Sequence, residues 1–247
     1  MLFNDKKVFM KNKNRNLTEI CVEIDKIIQT SSEKSKKSEY NDLMSEFDSA
    51  LFNRIDYKQV DDLCNITVKI AKTKNKIIRY IEKGIWREIP DLPFRLFQDS
   101  DLEIDENEVL KPDSEYENEI KKILSRLLKL SYDILELNDD KSKSSEIRRV
   151  GALETIAELL NYFLINECKS IFLKSINSKY PKEQYSALVG LENYYATKDD
   201  EIDDKLLENL KKIIHETDDR TVASTCLQIQ INAGLKDEFS AVCSIDD

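Results

Sequence analysis

The sequence predicts an all-α protein, and three observations carry that prediction. Four glycines and four prolines in 247 residues fall far below the roughly 12% that these two residues make up in an average protein. An all-β chain needs turn residues at about every 8 to 12 positions, more than this composition supplies. Apolar residues recur at helical spacing almost everywhere outside 85–113. With 40% hydrophobic and 35% charged residues, the chain holds enough apolar matter for a packed core and too much for a disordered segment. No glycine period and no long uncharged apolar run occurs, which excludes collagen-like and membrane-spanning readings.

The elements follow in order. A basic leader covers 1–16, with Lys6, Lys7, Lys11, Lys13 and Arg15. A first helix is expected over about 17–30, with Ile20, Ile24, Ile27 and Ile28 on one stripe. A lysine-rich polar stretch, 32–38, reads as a loop. The second helix, about 38–54, places Tyr40, Leu43, Met44, Phe47 and Leu51 on one face. Asp56 suits the N-cap of a long third helix, about 57–84, which Gly84 would close at its C′ position. Residues 85–113 hold Pro90, Pro93 and Pro112 and the cluster Ile85, Trp86, Phe94, Leu96 and Phe97. They read as a loop that its aromatics staple to the core. Ser114 and Glu117 have the spacing of a capping box and open a fourth helix, about 115–137. Five more helical stretches are expected at about 145–165, 167–178, 181–196, 202–216 and 219–233, the last stopping at Gly234, with room for a short tail helix near 236–243. The chain thus divides into an N-terminal helical region (1–84), a proline, aromatic and acidic loop (85–113) and a second helical region (114–247).

The net charge of -10 is concentrated. Residues 99–119 carry ten acids, among them Asp99, Asp101, Glu103 and Asp105, against the single base Lys111. Residues 69–87 carry seven bases and one acid, Glu82. Within that stretch Lys69, Lys72, Lys76, Arg79 and Lys83 step by 3, 4, 3 and 4. At about 100° per residue they share one sector of a helix. Such a ladder suits phosphates or an acidic protein face; it equally suits a solvated face partnered by the acidic segment. The run from Asp99 to Asn107 alternates like a calcium loop, but Ile104 stands where that loop needs glycine and Leu110 where it needs a bidentate glutamate.

A repeat decides the architecture of the second half. Arg149-x-x-Ala152-x-x-Thr155-Ile156 aligns with Gln184-x-x-Ala187-x-x-Gly190-Leu191 and with Arg220-x-x-Ala223-x-x-Cys226-Leu227. The copies are 35 and 36 residues apart. Small residues let helices approach closely, and a helix pair of this length buries its apolar face only by stacking on a neighbour. These residues, with Asp218-Asp219-Arg220 before Ala223, resemble the HEAT/armadillo family of helical repeats over about 145–233. The resemblance implies a right-handed α-solenoid and an extended binding surface. Two positions depart from the family: Gln184 replaces an arginine, and Arg148, Glu183 and Asp219 stand where an apolar residue is usual.

Catalytic patterns are missing from the sequence. The glycine-rich phosphate loops, the G-x-S-x-G elbow and the H-E-x-x-H helix do not occur. His215, the only histidine, falls at a helix end, where an imidazolium suits the dipole. The five cysteines, Cys21, Cys64, Cys168, Cys226 and Cys243, form no metal-ligand spacing and read as buried free thiols. The start, MLFNDKK, lacks the apolar core of a signal peptide, so a cytoplasmic protein without a cofactor is expected. The expected function is a non-enzymatic scaffold or adaptor that binds a protein partner. Two alternatives stand beside it: nucleic-acid binding through Lys69, Lys72, Lys76, Arg79 and Lys83, and an acidic inhibitor or immunity-type protein acting through 99–119. A glycosylase of helical-repeat architecture is the enzymatic reading, and the repeats lack its basic concave face.

Overall fold

The computed structural model describes residues 15–30, 40–53, 55–73, 76–98, 115–137, 145–162, 168–198 and 200–235, apart from the side chains of 76, 77, 97, 98 and 115–117. All regular structure among them is helical. The helices are α1 (Leu17–Thr30), α2 (Asn41–Leu51), α3 (Tyr57–Ala71), α4 (Lys76–Glu88), α5 (Leu92–Gln98), α6 (Glu115–Glu136), α7 (Glu146–Leu159), α8 (Cys168–Ser175), α9 (Pro181–Thr197), α10 (Asp204–Glu216) and α11 (Arg220–Asn232). No helix among the described residues is long and apolar enough to cross a membrane.

Local chemistry fixes several of the ends. Asp56 caps α3 and forms a reciprocal capping box with Gln59. Asp203 caps α10 through Leu206 N and Asp219 caps α11 through Thr221 N. Gly234, at φ 86°, ends α11 as expected. Its N–H reaches Ile231 O while Leu235 N reaches Gln230 O, the paired bonds of a Schellman ending.

Two expectations need correction. The long third helix is two helices: α3 ends at Ala71, and Lys72 and Thr73 lie outside it. Between Ala71 and Ile77 every residue is polar, Thr73 and Asn75 are weak helix formers, and Lys72 and Lys76, four apart, would repel one another on a continuous helix. Gly84 accordingly sits inside α4, where it admits Met44 of α2 against the backbone. The second correction is that 85–98 is not loop. Ile85 to Glu88 complete α4, Ile89–Asp91 form a 3₁₀ turn, and α5 follows. Pro90 and Pro93 fall in the first turns of these elements, where a missing N–H costs nothing. Trp86 is buried on α4, whereas Phe94 is 49% exposed and not part of the buried core. The rest of the expected loop, the Ser114 cap and the tail helix lie outside the described residues.

The helices pack as successive pairs: α1 on α2, α3 on α4, α6 on α7, α8 on α9 and α10 on α11. Neighbouring pairs meet through α1, α3 and α6 in one row and through α2, α4, α7, α9 and α11 in another. The 3₁₀ turn and α5 lie against α7. A continuous apolar core runs between the rows, from Leu17 and Ile20 through Leu63, Ile85, Leu127 and Leu153 to Phe172, Leu191 and Ile229. Glycines permit close approaches. A Cβ on Gly151 would meet the Trp86 ring at 2.6 Å, and one on Gly190 would meet the Phe172 ring at 2.1 Å.

Candidate interaction groove

The basic ladder is not one face of one helix. Lys69 is on α3 and pairs with Asp25 of α1. Lys72 is the C-cap residue of α3 and exposed. Arg79 and Lys83 are exposed on α4. The Lys76 side chain lies outside the described residues, as do Asp99, Asp101, Glu103 and Asp105 and the calcium-like run they begin. The break after Ala71 therefore interrupts the regular cation spacing that motivated a phosphate-binding reading. His215 is exposed in the last turn of α10. Cys21, Cys64, Cys168 and Cys226 are free and buried as expected, while Cys243 lies outside the described residues.

What the fold brings together is a groove of about 1210 Å³ across the second row. Helix α4 supplies Tyr80, Lys83, Trp86 and Arg87; α7 supplies Glu146, Ile147, Val150 and Glu154. Helix α9 supplies Lys182, Gln184 and Tyr185, and the α10–α11 junction supplies Ile213, Glu216, Asp219 and Val222. Gly84 and Gly151 line it too, and Trp86, packed on Gly151, is almost fully buried at 2% exposure. Tyr185 is 36% exposed, and the Tyr80 hydroxyl donates to Asn41 Oδ1 at 2.8 Å.

Buried ion pairs hold the helices that line this groove. Arg148 of α7 donates to Glu82 Oε1 of α4 at 3.2 Å and to Ala71 O at 3.1 Å. One guanidinium thus serves a buried C-terminal carbonyl of α3 and a carboxylate of α4. Arg149 of α7 donates to Glu183 Oε2 of α9 at 2.9 Å and lies over the Tyr180 ring, 5.2 Å from its centroid. Gln184 donates to Ile176 O at the end of α8. Of the four residues that depart from the repeat pattern, Arg148, Glu183 and Gln184 are therefore ties between helices, and Asp219 caps α11. Asn193 donates to Ala157 O and Asn232 to Glu192 O, both at 3.3 Å, from α9 to α7 and from α11 to α9.

The charges on the groove wall are unequally satisfied. Arg87 donates to Asp48 at 2.9 Å and to Glu88 at 2.7 Å. Burial alone would raise the Glu88 carboxyl, but its bonds to Arg87 and Arg95 hold it below the usual range. Glu154 is the opposite case. Desolvation against the groove wall and the nearby charge of Asp91 push its carboxyl up, while a 3.2 Å bond from Ser186 and the charge of Lys182 only partly oppose this. Among the described residues no group of His, Cys, Asp and Glu could hold a metal ion. The lining residues form a surface with rings, carboxylates and ammonium groups in reach of a ligand, suited to binding.

Sequence reasoning missed this site because its residues come from segments as far apart as Tyr80 and Val222. The one available signal was on α9, where Lys182 and Tyr185 stand three residues apart and both are exposed. Comparison with models of protein families, with curated proteins and with solved structures finds no match to this chain.

Proposed function

We propose that this protein is a non-enzymatic scaffold that grips another protein in the groove across α4, α7, α9 and the α10–α11 junction. Its architecture in this reading is an α-solenoid of HEAT or armadillo kind. The packing of successive helix pairs supports it, as do the repeat positions Ala152 and Ala187, both fully buried. Ala223 and Leu227 are only partly buried, in keeping with their place on the last described helix of the row. The observation that carries the function is the groove itself: no single helix pair makes it, so it is a product of stacking. Solenoids use such extended inner surfaces for macromolecules. The adaptor reading is preferred to nucleic-acid binding because the basic ladder is split and Lys69 is already paired.

The test compares the full-length chain with Tyr185→Asp in affinity capture from host extract, each checked for helicity by circular dichroism. A protein retained by the wild type and lost from the equally helical variant fits the reading. Identical captured sets would refute it.

A further inference from the structure

We infer that the segment after α11, residues 236–247, folds back along that helix and closes this end of the row, laying Phe239, Val242 and Cys243 over Leu227 and Ile231. The face to be covered belongs to a described helix. Helix α11 packs on α9 and α10 through a side that holds Val222, Thr225, Cys226 and Ile229. At about 100° per residue, Leu227 and Ile231 fall on the side opposite Val222 and Ile229. Neither belongs to the described core or to the apolar groups packed on it. Both are nevertheless partly buried, whereas Val22, an aliphatic of α1, is 51% exposed. A helix with apolar residues on opposite sides is built to be covered on both. Helices α7 and α9 are of this kind, and each has neighbours on both sides.

The sequence that follows α11 supplies the occupant. Leu235, Phe239, Val242 and Cys243 step by 4, 3 and 1, one apolar stripe at helical spacing. Asp237, Ser240 and Ser244 fall on the opposite side of that spacing. The Schellman ending at Gly234 turns the chain out of the α11 axis just before this stripe. Wound as a helix, residues 236–247 would span about 18 Å, against about 20 Å for the 13 residues of α11. Charge sets the direction. An antiparallel run brings Asp246 and Asp247 toward Arg220, which is exposed in the first turn of α11 and held in no ion pair among the described residues. The outcome is an end with a polar outer side, which a stack of helix pairs needs because a bare apolar face recruits a further unit. None of Leu227, Ile231 and Arg220 lines the groove, so this inference is independent of the groove reading.

The experiment times the alkylation of Cys243 by iodoacetamide in the full-length native chain, followed by peptide mass mapping, beside a synthetic peptide of residues 236–247. Cys243 should react at least about tenfold more slowly in the chain than in the peptide. Ile231→Asp should bring its rate close to that of the peptide with circular dichroism unchanged. Val22→Asp, the same change at an exposed aliphatic of α1, should leave it slow. If Ile231→Asp loses helicity, Leu227→Ala takes its place, and a faster Cys243 in that variant is expected. Cys243 reacting at the peptide's rate in the wild-type chain would overturn the inference. So would equal acceleration by Ile231→Asp and Val22→Asp, or an unchanged rate in a helical Leu227→Ala chain. Protection that rises with protein concentration would assign the face to a second copy of the chain and overturn it as well.

Discussion

Arg149 of α7 donates from Nε to Glu183 of α9 at 2.9 Å, with the two side chains only 9% and 11% exposed. This pair joins two helices of the groove row, and its worth lies in the cost of breaking it. Removing one partner of a buried pair strands a charge, a loss of about 3–5 kcal/mol. Arg149→Met is therefore expected to destabilise the fold by that order in urea titrations. The double variant Arg149→Met with Glu183→Leu should recover most of the loss, since two apolar side chains leave no charge unpaired. A double variant as unstable as the single one would contradict the assignment.

Gly190 makes a second sharp expectation. A methyl group there would lie 2.1 Å from the Phe172 ring, so α8 must shift or the ring must turn. Overpacking of this kind costs about 1–3 kcal/mol. Gly190→Ala should lower the melting temperature accordingly, and Phe172→Leu in the same chain should restore part of it. An unchanged melting temperature in Gly190→Ala would show that the helices are not so close.

The Glu154 carboxyl carries a pH signature. Its folded pKa is raised by desolvation, then by Asp91, so the folded state binds more protons than the unfolded chain between the ordinary carboxylate pKa and the raised one. Stability in that window falls as pH rises. Glu154→Gln should therefore be more stable than the wild type at neutral pH, and the advantage should shrink as pH drops through the window. Denaturant midpoints measured across that range would check it; an advantage that grows on acidification would contradict the sign.

Thiol chemistry offers a further measure. Burial pushes the Cys21, Cys64 and Cys226 thiols up to about 12, and Cys168 is fully buried as well. Thiolate is the reactive form, so at most one of the five cysteines, Cys243, should react quickly with Ellman's reagent in the native protein. All five should react after unfolding. Two or more fast thiols in the native state would contradict the packing of these helices.

Much of the fold was legible because it rests on local rules. Apolar spacing located α1, α2, α6 and α7 to α11, and the Asp56 cap and Gly234 ending were readable from residue type alone. The split after Ala71 was hidden because Lys69, Lys72, Lys76, Arg79 and Lys83 keep helical spacing through a polar gap, and spacing says nothing of whether the backbone continues. Helix α5 was hidden by Pro90 and Pro93, which mark helix starts as readily as loops. The groove was least legible, since Glu154, Tyr185 and Trp86 meet only after stacking. Arg148, Glu183 and Gln184 looked like flaws in a repeat pattern; in the fold they are its ties.

The most direct test of the groove as a protein-binding surface is photo-crosslinking in host cells. p-Benzoylphenylalanine replaces Tyr185 in one version of the chain and Glu136, on the exposed side of α6, in another. A discrete protein adduct from position 185 and none from position 136 is the predicted result. No adduct from 185, or adducts from 136 alone, would contradict it.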